Sequence, residues 1–477
     1  MDPYAKFGTY YSDIGSSTSD YVRSFISQKN FLSSKESLDE FEAEFKVSLL
    51  MLTSFLGHLD LVSTILNTSY VDINKGVESV YNATPLHVAV IHEHLDIVHV
   101  LLSYEANVNI KTYPVPPLII AITQNNIKIA RALIEAGANI DERDGINYCT
   151  ALIYASLAVK PVLVETLMQS GADVNATSKS GMNPVHALTL IKIEASNITE
   201  VDRNEILLLL IHGKADINAQ AKNGNTPLHY AVRTGLTNVI KMLLRAGADP
   251  DKLNKVGMTP LGESIEYPFR MKLPNPAYLR DIVKLLVEEG ADTNLSNPLA
   301  IATNPRIMDK EIIELLIDNG AKDKCFILHK SSTSPLLQTL LYNRTDLAKL
   351  ILQNEVNPNC VIVNGITCIS TFTLAINSGE IEIVRELIRQ GADPTVSMRL
   401  CKNLTHFHSD IIFLTTAITE LVYTDAEAFE IVDFLITAGL DVNDKQTFNK
   451  NSMDILEASI LNNYTAVSSR IIDAGLI

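Results

Sequence analysis

Two or three aliphatic residues, then Gly-Ala, an acidic or amide residue, and Asn or Asp recur along this chain at a nearly constant interval. The phrase reads LIEAGANID to Asp141, LMQSGADVN to Asn175, LIHGKADIN to Asn218 and LLRAGADPD to Asp251. It returns as LVEEGADTN to Asn294, LIDNGAKD to Asp323 and LIRQGADPT to Thr395, with weaker copies ending at Asn109, Asn359 and Asn443. The period is about 33 residues, lengthened where segments are inserted. A chain built this way folds as a row of similar small units. None can bury its own apolar face, so stability comes from stacking on neighbours.

A second phrase stands at a fixed place in each unit. Thr84-Pro85-Leu86-His87 and Thr226-Pro227-Leu228-His229 carry it in full. Thr259-Pro260-Leu261-Gly262, Asn183-Pro184-Val185-His186, Asn297-Pro298-Leu299 and Ser334-Pro335-Leu336 are variants. Thr226 is suited to cap a helix by accepting a backbone N–H, and Pro227 sits in the first turn, where its missing donor costs nothing. Leu228, Ala231 and Val232 follow at helical spacing. A second helix is predicted over Asn238 to Arg245, with Val239, Ile240, Leu243 and Leu244 as its apolar stripe. Gly247 ends it, and 249–257 make a hairpin-like loop to the next unit.

With both phrases in fixed order, the sequence resembles the ankyrin-repeat family over roughly Phe45 to Ile477. The resemblance implies an all-α, curved solenoid of about 11–12 helix-turn-helix units, with hairpin-like loops and caps at both ends. Composition agrees: the hydrophobic fraction is 47%, aromatics are 6% and Trp is absent, so the core is aliphatic. The formal charge is −16, which disfavours general binding to nucleic acid or to an anionic membrane surface. No run of about 18 apolar residues reads as a membrane span, and Met1 to Ser19 has no apolar core of a signal peptide.

Some segments depart from the period. Residues 1–44 do not fit it; Gly15 to Asp20 is Ser-rich, and Leu38, Phe41 and Phe45 are spaced for a capping helix. The array is expected over 45–477, with insertions at 191–203, 266–277 and 396–410. Asn451 to Ile477 reads as a polar-faced last helix pair. The middle insertion holds Pro268, Pro274 and Pro276 beside Tyr267, Phe269, Arg270 and Met271, and aromatics, Arg and Met are enriched at interfaces.

No catalytic constellation emerges. His87, His186 and His229 fall in the helix-start phrase, which assigns their rings to nearby loop backbone. Cys401, His406 and His408 lack an evident fourth ligand for structural zinc. Neither a phosphate-binding Gly-rich loop nor a nucleophile elbow, kinase or metalloprotease signature appears. Five widely spaced cysteines with no CxxC pair argue against a disulfide framework and for a reducing cytoplasmic or nuclear setting. The expectation is therefore no enzyme activity, no cofactor and no metal.

The resemblance implies protein–protein recognition through a concave surface of loop tips and first helices. Carried onto this chain, the contact positions are Tyr81, Ile91 and His92 in one unit, Tyr113 and Gln124 in the next, then Asn147 and Leu157. Lys179 and Met182 follow, then Lys222, Asn223, Asn225, Arg233 and Thr234, and finally Lys255 and Met258. Tyr267, Phe269 and Arg270 of the inserted loop are a second candidate set. The rival readings are a host-interaction effector of viral or bacterial type, or an adaptor recruiting a partner to ubiquitin ligase machinery. The repeat is read as running to Ile477 with no C-terminal box.

Overall fold

The computed structural model describes residues 47, 49–68, 71–76, 82–110, 114–190, 199–271, 278–328, 331–364, 367–394, 406–407, 423–438 and 455–474. The capping helix expected before Phe45, Tyr81, Tyr113, Cys401, His408 and most of the 396–410 insertion lie outside the described residues. The chain divides into two compact units, Met1–Gly257 and Met258–Ile477.

In the first unit, helical residues 49–56 precede α1 (Leu59–Thr68), followed by the pairs α2 (Pro85–Ile91) and α3 (Leu95–Ser103), α4 (Pro117–Thr123) and α5 (Ile127–Glu135). Next come α6 (Ala151–Leu157) and α7 (Pro161–Gln169), α8 (Pro184–Thr189) and α9 (Glu200–His212), α10 (Pro227–Thr234) and α11 (Thr237–Arg245). First helices stack in the order α2, α4, α6, α8, α10, and second helices in the order α1, α3, α5, α7, α9, α11. The first helices are short and almost wholly buried: every residue of α2 and α6 is inaccessible or nearly so. Stacking explains this: α6 lies between α4 and α8, and α2 packs on both α3 and α4. The longer second helices bury one stripe, Val239, Ile240 and Leu243 in α11.

The helix-start phrase folds as expected. Thr84, Asn183 and Thr226 occupy the N-cap positions, each with Pro as the next residue. The ring Nδ1 of His87, His186 and His229 accepts the N-cap backbone N–H at 3.2, 3.3 and 3.1 Å. His186 also bonds the Asn225 carbonyl of the following loop through Nε2, at 3.1 Å. Burial depresses two of these rings: His87 falls to about 3 and His186 to about 4. Those two are neutral, and all three rings close a helix start, as their place in the phrase implied.

The second unit pairs α12 (Pro260–Arg270) with α13 (Tyr278–Glu288), α14 (Pro298–Ala302) with α15 (Lys310–Asp318), and α16 (Pro335–Leu341) with α17 (Thr345–Ile351). α18 (Thr371–Asn377) packs on α19 (Ile381–Arg389), and α20 (Asp425–Thr437) and α21 (Ile455–Leu461) pack on α22 (Thr465–Asp473). Here the loops between pairs harden into strands. β1 (Phe326–Leu328) pairs antiparallel with β2 (Ser331–Thr333), and β3 (Val361–Asn364) with β4 (Thr367–Ser370), while β5 (His406–Phe407) adds parallel to β4.

Three sequence expectations are corrected. The insertion at 191–203 is not all loop, because Glu200 to Arg203 form the first turn of α9. Thr199 Oγ1 accepts the Asp202 N–H at 3.1 Å and Asp202 Oδ2 accepts the Thr199 N–H at 3.3 Å. This reciprocal cap was legible as Thr-x-x-Asp. Likewise Glu266 to Arg270 continue α12 straight through Pro268, where burial of Ile265 and Pro268 outweighs the missing backbone donor. The third concerns the cysteines: Cys325 and Cys360 form a disulfide with Cα atoms 5.8 Å apart. Their separation of 35 residues is one repeat period, which sets them at like positions on consecutive loops.

Candidate interaction surface

The loops that precede each helix pair, here called fingers, are held one to the next by side-chain amides and carboxylates at their base. Asn74 Oδ1 accepts the Asn107 N–H at 2.7 Å and Asn109 Oδ1 accepts that of Asn139 at 2.7 Å. Asp141 takes Asp173 at 2.9 Å, Asn175 takes Asp216 at 2.7 Å and Asn218 takes Asp249 at 2.8 Å. Asn109, Asn175 and Asn218 also donate through Nδ2 to the carbonyls of Gly137, Lys214 and Gly247. The recurrent Asn or Asp that closes the first phrase is thus a joint between units.

At the finger tips the backbones themselves are linked. The Lys179 N–H donates to the Asn147 carbonyl at 2.8 Å, Lys222 to Ser180 at 2.8 Å and Lys255 to Asn223 at 3.1 Å. The approach is close enough to require glycine. A Cβ on Gly224, whose φ is +79°, would meet the Lys255 nitrogen at 2.5 Å. The three lysine side chains themselves stand exposed.

The finger of 219–225 is fastened to its own first helix. Asn223 Nδ2 donates to the Tyr230 hydroxyl at 2.9 Å, and the Arg233 guanidinium lies over the Tyr230 ring, 5.6 Å from its centre. With its amide oriented to satisfy its neighbours, the Asn225 oxygen accepts from Asn223 at 3.0 Å and from Arg233 at 3.1 and 3.2 Å. The Tyr230 ring meets His186 edge-on at 5.9 Å. Tyr230 was absent from the sequence-derived positions, though it directly follows His229 in the helix-start phrase. The finger two before it, which holds Asp144 to Cys149, is stiffened differently. Asp144 Oδ1 accepts from the Ile146 and Asn147 N–H groups, and Oδ2 from the Cys149 N–H and the Tyr154 hydroxyl. Burial, then Cys149 and Asp144 nearby, push the Tyr154 hydroxyl up.

The positions carried over from the resemblance separate accordingly. Lys179, Lys222, Asn223 and Lys255 are exposed on the tips, and Arg233, Asn147 and Met258 are half-buried. Ile91, Leu157, Met182 and Asn225 correct the expectation: with 9%, 8%, 8% and 1% exposure they offer a partner almost no surface. Met182 turns inward because its backbone closes the hairpin with Ser178, and Asn225 because it bridges finger and helix. Gln124 and Thr234 are clamps. Gln124 Nε2 donates to the Ile91 carbonyl at 2.6 Å, and Thr234 Oγ1 to that of Thr189 at 3.1 Å. His92 leans edge-on against Phe55, ring centres 4.4 Å apart. Tyr267 is half-buried in α12, which also contains Phe269 and Arg270. Among the described residues no helix is long and apolar enough to cross a membrane, and no group of three His, Cys, Asp or Glu is placed to hold a metal.

Helix pairs that repeat about every 33 residues, with capped first helices and loops joined tip to tip, define a helical repeat protein of the finger-bearing type. The family profile of three-copy ankyrin repeats matches residues 18–112 and 195–297, and that of the single ankyrin repeat matches 116–145. The chain belongs to the ankyrin-repeat family. It is 28% identical over 232 residues to the B-cell lymphoma 3 protein homolog of Mus musculus, covering 48% of this chain and 47% of that one. The human B-cell lymphoma 3 protein is 28% identical over 250 residues, covering 51% and 50%. Among solved structures, the ankyrin repeat domain of Bcl-3 matches 49% of this chain and 98% of that chain at 26% identity, with a TM-score of 0.40. The chain spans about half the length of the B-cell lymphoma 3 relatives it matches.

Proposed function

We propose that this protein is a non-catalytic binding module, and that its partner protein docks on the finger tips and first helices of the first unit. The observation that carries the reading is the fastened finger of 219–225. There an Arg and a Tyr, both types that concentrate binding energy, are already held in place by Asn223 and Asn225. Ordering side chains at an interface costs about 0.5–1.5 kcal/mol each, so groups fixed beforehand bind at less cost. Tips joined by backbone hydrogen bonds extend the same economy over neighbouring units.

The test is site-specific photocrosslinking in native lysate, from Ser180 and Asn223 on the tips and from Lys241 on the exposed side of α11. Capture of one partner from the tip positions alone is the expected result. Lys222→Glu should then weaken binding of that partner while leaving circular dichroism melts unchanged, whereas Arg233→Glu should weaken binding and also lower the melt, because it removes the bond to buried Asn225. Capture from Lys241, or from Tyr267 in α12, in place of the tips would move the surface elsewhere.

A further inference from the structure

Within a chain of net charge −16, three consecutive finger tips are locally basic. Residues 176–182, 219–225 and 253–257 each contain one lysine and neither Asp nor Glu. Those lysines, Lys179, Lys222 and Lys255, sit at like positions, since each donates its backbone N–H to the finger before it. All three are exposed, and among the described residues none makes an ion pair. Their backbones cannot drift apart, because the tip-to-tip bonds and the tight passage at Gly224 hold them in register. Arg233, stacked on Tyr230, adds a cation beside the middle tip.

We propose that this row binds an extended, acidic segment of a partner protein, whose carboxylates recur about every third residue. This rests on the reading of the finger face as the partner surface. The spacing follows from the fold. Packed helices stand roughly 8–10 Å apart, and successive tips inherit that distance from the first helices they precede. An extended chain advances about 3.3 Å per residue, so three residues span one step of the row. The charge of the rest of the chain sharpens the choice: an acidic segment is repelled elsewhere and accepted here, so charge sets register as well as attraction. A nucleic acid fits less well. Its charge density of roughly one per 1.7 Å far exceeds what three lysines neutralise, on a chain otherwise acidic.

Fluorescence anisotropy of the full chain with two labelled 13-residue peptides of identical composition tests this. One carries Glu at every third position among Ser and Gly; the other has its Glu residues clustered. The spaced peptide should bind more tightly, and Lys179→Glu/Lys222→Glu/Lys255→Glu should weaken it by about tenfold. Lys241→Glu on α11 should leave it unchanged, and raising the salt from 50 to 200 mM should weaken it. Equal binding of both peptides, or no effect of the triple variant, overturns the proposal. Tighter binding of a single-stranded oligonucleotide of equal charge also overturns it, in favour of a general polyanion site. Mapping the crosslinks from Ser180 and Asn223 separates the two levels. A captured partner whose contact segment lacks acidic residues leaves the surface standing and sinks the acidic-segment proposal, whereas capture only from other faces sinks both.

Discussion

In the first unit every described joint between fingers is the same device, an Asn or Asp accepting the backbone N–H one repeat on, from Asn74 to Asn218. The second unit uses it too, where Asn294 takes Lys322 at 2.9 Å and Asn359 takes Asp393 at 2.7 Å, but between them the device fails. The corresponding position is Lys324, which has no acceptor. There the neighbouring Asp323 reaches across instead, accepting the Asn357 N–H at 3.3 Å, and the Cys325–Cys360 bridge ties the next residues together. The comparison teaches that the joint is the conserved requirement within this molecule, and that its chemistry is exchangeable. One local hydrogen bond, repeated, serves the regular fingers; a buried carboxylate and a covalent bond replace it where the pattern lapses.

The largest expected effect breaks the covalent half of that replacement. Reduction, or Cys325→Ser with Cys360→Ser, should cost the second unit about 2–4 kcal/mol, as usual for a bridge closing a loop of this length. Hydrogen exchange read by mass spectrometry should show faster exchange over 321–370 and none of it over 171–257. An equal change in both regions would mean the bridge is not a local substitute.

Acidification should push the two units in opposite directions. His87 and His186 have folded values below the ordinary 6.5, so their stabilising contribution is complete above 6.5 and is lost as pH falls toward about 3 and about 4 respectively. Asp323 is raised by burial from 3.8 to about 6, so its contribution is present at low pH and lost as pH rises through about 6. Between pH 6 and 4.5 the first unit should lose about 1–3 kcal/mol while the region around Asp323 gains. Segment-resolved exchange at both pH values checks this, and Asp323→Asn should abolish the gain.

Within the first unit Asp141 is an imperfect joint. It accepts from Asp173 but, unlike Asn109, Asn175 and Asn218, has no amide to donate onward. Asp141→Asn should therefore stabilise by about 0.5–1.5 kcal/mol, through a new bond to the Gly171 carbonyl. A urea midpoint at or below that of the wild type would show that only the accepting half of the joint matters. The smallest change sharpens the same point. Lys214 holds φ +63° at the place where Gly171 and Gly247 end other second helices. Lys214→Gly should raise stability by about 0.5–1 kcal/mol, measured by the same titration.

Much of this was legible because the repeated unit is held by contacts between residues near in sequence. Thr-Pro-Leu-His is read correctly wherever it appears, since cap, proline and ring act within four residues. The second helices and the lysines on the tips follow from the same local count. The buried state of Met182 and Asn225 was not legible, because it depends on how each finger closes on itself and onto its first helix, at Ser178 for Met182 and at Arg233 for Asn225. The Cys325–Cys360 bridge was hidden for a related reason: 35 residues look distant in a chain and are one step apart in a stack.

The sequence by itself therefore determined the repeating unit, its helix starts and stops, and which residue types stand on the finger tips, all matters of local propensity and period. Only the tertiary structure decided that the closing Asn is a joint, that Asp323 and a disulfide stand in for it once, and that Tyr230 and Arg233 are fastened to a finger. The last of these depends on how a finger folds onto its own first helix, and the others depend on the register between consecutive units. Register is set by the packing of whole helix faces and backbone hydrogen bonds about one period apart, which no window shorter than the repeat contains.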